Sequence, residues 1–395
     1  MTDLLKDTLT EHADRTQPSP LDLDAIITTG NRRLRRRRVV AIAGTAMVTL
    51  AVLITTLTLI KPATDQPAPV SVPFTERRAT YAIGSEIHFG QDVISTAPHK
   101  LTAFVQTNSG FAFIATGERG LFVADGKQVR KIAAYPGDLT RLTAANHGNL
   151  VGWVEDFDGG SDSVIYDVAT DREVLRTPVG NERGPLLDPV ESPRIAAIDD
   201  RFAYLGTLKG TYRWDLKTGK HQLLLNTTTG NVLTAASGFS LRRGPEKAYL
   251  TGTTVVLVDD LNGFLAPRTF PGQAGYLSPT GEYLLTAPND SRSITPPPAA
   301  LRLFQTTTGK ELSLTHPGHP FLIFSQWLTN DTFTAAGLRT TTPNSPVDLL
   351  TCSLKSLTCQ TTTPAISTYT FTFGPAGTTT PFTLPTGTPI YRLFG

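Results

Sequence analysis

Few residues in this chain have the type and spacing to carry chemistry. The only cysteines, Cys352 and Cys359, flank Ser-Leu-Lys-Ser-Leu-Thr inside a stretch that reads as a hairpin. With Lys355-Ser356 as a two-residue turn, 354 pairs with 357, 353 with 358 and 352 with 359. The cysteines then lie directly opposite on one face, near the separation a disulfide needs. Two thiolates do not close a zinc site, so the expected chemistry is a disulfide, which would persist outside the cytoplasm. The run Glu155–Asp162 (EDFDGGSD) gathers carboxylates around glycines, and Asp156, Asp158 and Asp162 are the residues that could wrap a calcium ion. The twelve-residue calcium loop with its closing Glu is missing, so an inter-strand loop is the leading reading, and no metal or other cofactor is expected. His316-Pro-Gly-His319 has ligand-like spacing. It is bracketed by prolines with no carboxylate nearby, and reads as a connector.

No catalytic residue emerges. His12, His88, His99, His147 and His221 form no triad-like or metal-like local group, and G-x-S-x-G, P-loop and H-E-x-x-H patterns are absent. An enzyme is therefore not the expected reading. Repeats can assemble a site from distant segments, which keeps a propeller hydrolase as one alternative.

The elements that would position these residues are short strands. Gly (33) and Pro (29) are plentiful, Met is rare (2) and charged residues make up 18% of the chain, a balance that suits strands joined by turns. From about Ala79 one signature recurs: an apolar strand, a polar residue, a turn that often ends in Thr-Gly, and a second strand. It is centred on Asp167, Asp215, Asp259, Gln305 and Ser353, at separations of 48, 44, 46 and 48, and a shorter member at Asp125 lies 42 residues before Asp167. Each signature is preceded by another strand pair, of which GYLSPTGEYLLTA (Gly275–Ala287) is the clearest. Four strands per unit of about 40–50 residues is the period of a β-propeller. A lone blade cannot bury both faces, whereas blades packed in a ring bury each other's. Six full units fit between about Leu101 and Thr363. A seventh blade would be shared between Ala79–Gly90 at the start and Tyr369–Gly374 with Pro389–Gly395 at the end. Seven blades is thus the expectation, with six plus extra strands as the alternative.

Ahead of the repeats, Val39–Ile60 runs without a charge. At about 1.5 Å per residue it spans roughly 33 Å, enough for a bilayer core of about 30 Å. Arg32, Arg33, Arg35, Arg36, Arg37 and Arg38 abut its start, and only Lys61 precedes Pro62 at its end. This asymmetry places the N-terminus in the cytoplasm and the large domain outside. A cleaved signal peptide is disfavoured, because the apolar run is long and LIKPATDQ offers no small-residue cleavage site. Residues 1–38 read as a short basic tail with two helical stretches. The bland reading is a topology signal lying against anionic lipid, and the alternative is a docking site for a cytoplasmic partner. Eight of the 36 bases and six of the 34 acids lie in this tail, leaving 28 of each in the remainder. A neutral outer domain lacks the basic footprint of a nucleic-acid binder.

The LRRRR-then-apolar anchor, the LSPTGEYLLT strand pair and the D-x-x-T-G hairpins resemble the membrane-anchored WD-repeat-like propeller proteins common in actinobacteria, many of uncharacterised function. The sequence departs from a true WD repeat. Trp214-Asp215 is its only Trp-Asp, and Gly318-His319 has no Trp-Asp after it, so partner binding is implied only by the general likeness.

The sequence therefore predicts four parts: a cytoplasmic tail (1–38), a transmembrane helix (39–60), a Pro-containing linker (61–78) and an all-β, extracytoplasmic propeller (79–395). The expected role is a membrane-anchored binding or scaffolding module for a protein, peptide or glycan ligand. The further alternative is a transmembrane sensor whose tail engages a cytoplasmic regulator.

Overall fold

The computed structural model describes residues 74, 76–118, 120–134, 141–157, 160–178, 194–207, 210–225, 232–243, 254–260, 266–272, 274–287, 301–340, 342, 344–369 and 382–388. All fall in one compact unit, Pro67–Gly395. The basic tail with Arg32, Arg33, Arg35, Arg36, Arg37 and Arg38, and the apolar run Val39–Ile60, lie outside the described residues. Among the described residues no helix is long and apolar enough to cross a membrane.

The strands fall into seven sheets of four. The chain opens with β1 (Thr80–Ile83), β2 (Glu86–Phe89) and β3 (Asp92–Ser95). Blade 1 is β4 (Leu101–Thr107), β5 (Gly110–Ala115), β6 (Leu121–Ala124) and β7 (Val129–Ala133). Blade 2 is β8 (Thr143–Ala144), β9 (Leu150–Phe157), β10 (Gly160–Asp167) and β11 (Arg172–Pro178). Blade 3 is β12 (Arg194–Ile198), β13 (Phe202–Thr207), β14 (Gly210–Asp215) and β15 (His221–Leu225). Blade 4 is β16 (Val232–Ala236), β17 (Phe239–Arg243), β18 (Thr254–Asp259) and β19 (Arg268–Pro271). Blade 5 is β20 (Ala274–Leu277), β21 (Tyr283–Ala287), β22 (Arg302–Gln305) and β23 (Glu311–Leu312). Blade 6 is β24 (Phe321–Thr329), β25 (Thr332–Leu338), β26 (Ser345–Ser353) and β27 (Thr358–Tyr369). Then β28 (Phe382–Thr383) returns to pair with β1, completing blade 7 in the order β28-β1-β2-β3. The six-blade alternative is set aside by this seventh sheet.

Side chains alternate across each strand, so a blade presents one set of residues to each neighbour. In β5, Phe111 and Phe113 pack toward blade 7, while Ala112 and Ile114 pack toward blade 2. Because both faces are covered, β5 reads as an unbroken apolar run and is buried along its length. The buried apolar residues form seven clusters, one for each seam between adjacent blades.

The recurring Asp and Thr-Gly residues shape the outer hairpins. Asp215 Oδ1 accepts the backbone N–H groups of Lys217 (3.0 Å) and Thr218 (2.9 Å), and Gly219 N donates to Asp215 O (2.8 Å). Gly219 holds φ +69°, a left-handed conformation open to glycine. Gln305 takes the same place in blade 5, where Thr308 Oγ1 donates to its Oε1 (2.9 Å) and Gly309 holds φ +75°. At Asp125, Asp167, Asp215 and Gln305 the repeat seen in the sequence is thus a repeat of side-chain-capped turns.

Closure differs from the expected arrangement. The terminal blade is shared as predicted, but its inner strand is Phe382–Thr383, against Ile83 and Ala82. Tyr369 instead ends β27, opposite Ser345, while 370–374 and 389–395 lie outside the described residues. A two-residue strand followed by Pro385 carries no alternation to detect. The linker boundary also shifts: Phe74 packs on Phe89 and Phe111 (5.3 and 5.4 Å between centroids), so the last residues assigned to the linker belong to the ring.

Beyond β28 the chain crosses to its neighbours. Thr386 bridges Val105, Gly387 N donates to Phe104 O (2.8 Å), and Leu142 N donates to Gly387 O (2.9 Å). One segment therefore ties blade 7 to blades 1 and 2. Gly387 holds φ +70°, and a Cβ there would stand 2.0 Å from Leu142 O, a backbone atom. Gly387→Ala should therefore lower the thermal unfolding midpoint of the full chain. Ending the chain after Pro381 should cost about 3–6 kcal/mol, because Phe382 and Leu384 are buried and each contributes about 1.5–3 kcal/mol. An unchanged midpoint in both variants would show that the ring is held elsewhere.

Candidate functional site

The first strands of the sheets, β4, β8, β12, β16 and β20 with β28, stand next to one another, and with β24 they form the inner edge of the blades, where a propeller has its central channel. The ring's two rims are unlike. Strand ends on one rim are joined by residues 134–142, 179–193, 244–253, 288–301, 313–320 and 370–381. On the other rim the joins are mostly tight turns such as 108–109, 237–238 and 330–331.

On the tight-turn rim, polar side chains converge at the channel end. The turn after β8 carries Asn146, whose Nδ2 donates to Ala235 O (3.1 Å) in blade 4 and Leu277 O (3.3 Å) in blade 5. Arg77, ahead of β1, reaches the same turn and donates from Nη2 to Ala145 O at 2.5 Å. Gln326 Nε2 of β24 donates to Gln106 Oε1 of β4 (2.7 Å) and to Arg78 O (2.9 Å), joining blades 6 and 1 on either side of blade 7. They meet where the two-residue β28 leaves β1 uncovered, since β28 pairs only Ala82 and Ile83.

Donors exceed acceptors in this cluster. Arg77 Nε and Gln106 Nε2 are shut off from solvent without a partner. Burial pulls the Arg77 guanidinium down to about 10. Arg78 by contrast is paired, with Glu76 (3.3 Å) and Asp92 (3.2 Å). Sequence reading missed Arg77 because it fell in the presumed linker, and nothing local marks it as a channel residue.

The residues singled out from sequence are scattered. Cys352 lies opposite Cys359 and Ser353 opposite Thr358, as expected, and the sulfurs are 2.01 Å apart. The ladder stops there rather than at 354–357, because Leu357 holds φ +54° and Leu354–Leu357 forms a four-residue turn. Both cysteines are buried in the seam of blades 5 and 6. Of the calcium candidates, Asp162 is paired with Arg176 (3.1 Å), which also holds Glu155 (2.7 Å) and Glu173 (2.6 Å). Asp156 sits on β9 opposite Ser161, its side chain outside the described set, as is all of Asp158. Among the described residues no three His, Cys, Asp or Glu side chains are placed to hold a metal.

The expectation that His319 has no carboxylate partner is corrected. Its Nε2 bonds Asp348 Oδ2 at 2.7 Å, and its Nδ1 lies 3.0 Å from Pro317 O. Burial raises the Asp348 carboxyl. Hydrogen bonds from Ala365 N, His319 and Arg339 outweigh it and hold the group below the usual carboxylate range. Asp348 comes 29 residues after His319, on β26 beyond β25, out of reach of a local motif search. With both ring nitrogens engaged inside blade 6, the pair fastens the connector onto the sheet.

A second buried polar group lies in the seam of blades 3 and 4. Asp199 Oδ1 accepts the N–H groups of Arg201 (2.8 Å) and Phe202 (2.6 Å), while Asp199 Oδ2, Tyr204 OH and Asp260 Oδ2 have no partner. Burial pushes the Asp199 carboxyl and the Tyr204 phenol up. Asp260 is tied to Arg242.

No protein-family profile matches the chain, and no curated protein sequence matches it. Solved structures of low likeness include TolB from Acinetobacter baumannii, at 14% identity and a TM-score of 0.38, covering 60% of this chain and 62% of that one. Others are a prolyl endopeptidase (13%, 0.46, covering 74% and 49%) and Hsv2p from Kluyveromyces lactis (10%, 0.39, covering 64% and 75%). The chain thus spans under two thirds of the TolB and about half of the endopeptidase.

The raised Asp199 carboxyl gives a signed prediction. A carboxyl raised on folding weakens the fold above its unfolded pKa, and that penalty disappears as pH falls. Asp199→Asn keeps the Oδ1 acceptor and removes the buried charge. It should stabilise the full chain by about 1 kcal/mol at pH 7. In thermal scans the gain should shrink to nothing toward pH 3. A variant less stable at neutral pH would contradict this account.

Proposed function

We propose that the protein is a membrane-anchored binding module. Its ring, held outside the cytoplasm by Val39–Ile60 and oriented by Arg32–Arg38, takes a protein, peptide or glycan ligand at the rim that carries the long connections. The observation that carries this reading is the asymmetry of the ring. At one end of the ring Asn146 reaches across to blades 4 and 5 and Arg77 reaches blade 2, and the longest joins start and finish at strand ends on the other rim. Connections that exceed what a turn requires are where a rigid scaffold supplies binding contacts.

The fold supports a binding or scaffolding role, because closed blades leave loop rims rather than sheet edges for contact. The tail's role follows from its charge: basic residues beside an apolar span hold it against the anionic inner leaflet. The buried cysteine pair fits an oxidising compartment, since a short hairpin disulfide formed there persists.

Two measurements test the proposal. Thiol titration of unfolded, unreduced protein recovered from membranes should find no free thiol, and two free thiols would place the ring in a reducing compartment. Replacing 179–193 or 288–300 with Gly-Ser segments of equal length should abolish partner cross-linking on intact cells. Changing Lys127 and Lys217, on the opposite rim, to Ala should leave cross-linking intact. Loss of cross-linking only in the lysine variants would assign the wrong rim.

A further inference from the structure

We propose that His319 is held as an imidazolium between two oxygen acceptors, and that its proton latches the connector 313–320 onto blade 6, so that the hold of this join on the ring changes with pH. The latch does not depend on which rim takes a ligand.

The connector leaves β23 of blade 5 and is tied to blade 6 at two points. Near its start Thr315 bridges Thr358, with Thr315 N donating to Leu357 O and Cys359 N donating to Thr315 O, both at 2.8 Å. Further on, His319 N closes a turn onto His316 O (3.1 Å), and Gly318 in that turn holds φ +75°. The His319 ring then enters the blade and is buried. Gly337 of β25 makes room for it: a Cβ there would stand 2.9 Å from the ring's Cδ2.

The two ring nitrogens face partners that can only accept. Nε2 lies 2.7 Å from Asp348 Oδ2, and Nδ1 lies 3.0 Å from Pro317 O. A carbonyl and an ionised carboxylate have no proton to give. A neutral imidazole has one N–H and one lone pair, so one of these contacts would set a lone pair against an oxygen inside the blade. The imidazolium alone donates to both. The other place for the second proton is Asp348, and its oxygens already face donors. Oδ1 accepts Ala365 N (2.7 Å), and Arg339 Nη2 lies 3.3 Å from Oδ2. These bonds hold the Asp348 carboxyl below the usual carboxylate range, against the effect of burial. The proton therefore belongs to the ring.

The charged and titratable groups around the ring come from three elements. β26 brings Asp348, the end of β25 brings Arg339, and the connector itself brings His316. Arg339 bonds the carboxylate and not the ring. Without its second proton His319 keeps Asp348 or Pro317 O, but not both. The carboxylate is then left buried against a neutral ring, which costs the latch its charge pairing. A fold that holds a proton more firmly than the open chain does is weakened as pH rises. The tie at Thr315 is made of backbone groups and has no such dependence.

The test is NMR of the full chain in detergent, labelled with 15N-histidine, together with amide hydrogen exchange. The His319 ring is the signal missing from His319→Gln. It should carry protons on both nitrogens at pH 6 and on one at pH 9. After correction for the intrinsic rate, exchange of the His319 amide should be at least tenfold faster at pH 9 than at pH 6, while the Thr315 amide changes less than twofold. Asp348→Asn, which removes the counter-charge, should already show the faster His319 exchange at pH 6. Should either variant fail to fold, the exchange series on the unaltered chain decides. A single protonated ring nitrogen at pH 6, or equal protection of the His319 amide at both pH values, would overturn the proposal. So would His319 and Thr315 amides that speed up together, because the blade would then be opening as a whole.

Discussion

The structure depends on one short antiparallel pairing, Phe382–Thr383 against Ile83–Ala82. A ring of blades is a closed chain of seams. Opening any one exposes two sheet faces and leaves backbone donors and acceptors without partners. Six seams join blades that follow one another through the chain or share its first turns. The seam between blades 6 and 7 closes only when the end of the chain comes back to its beginning. Its core combines Ala336, Leu338, Val347 and Leu349 of blade 6 with Phe382 and Leu384, and with the half-buried Tyr81 and Ile83. The returning segment then continues onto Val105, Phe104 and Leu142. A strand too short to be stable alone is thus fixed from three blades.

Closure and the candidate site are physically linked. A full-length inner strand in blade 7 would continue past Ala82 and cover the start of β1. The chain instead turns away after Thr383, and the Gln106–Gln326 bond fills that place. The same economy brings residues before β1 under the ring, so that Arg78 O anchors Gln326 and Thr80 while Arg77 reaches blade 2. The polar floor of the channel is a consequence of how the ends meet.

Much of this was legible in the sequence where signals repeat. The spacing of Asp167, Asp215, Asp259, Gln305 and Ser353 marks the outer hairpins, and similar side-chain-capped turns recur at Asp167, Asp215 and Gln305. The opposition of Cys352 and Cys359 follows from strand register, although Leu357 in the left-handed region shortens the ladder by a pair. The unread features are non-local. Phe382–Thr383 lacks the length that makes alternation visible, and it is a strand only because β1 is there. His319 meets its carboxylate 29 residues away, through β25 lying between. Arg77 looked like linker because its partner, Ala145 O, lies 68 residues away in blade 2.

The central claim, that the ring is closed by this terminal pairing, is tested most directly by amide hydrogen exchange on the full chain. If closure holds the domain together, the amides of Ala82 and Ile83 and those of β12, on the far side of the ring, should exchange only through global opening. They would then show the same protection and the same denaturant dependence. If β1 exchanges orders of magnitude faster than β12, with little denaturant dependence, the ends separate while the rest stays folded, and the closing segment is not what the structure depends on.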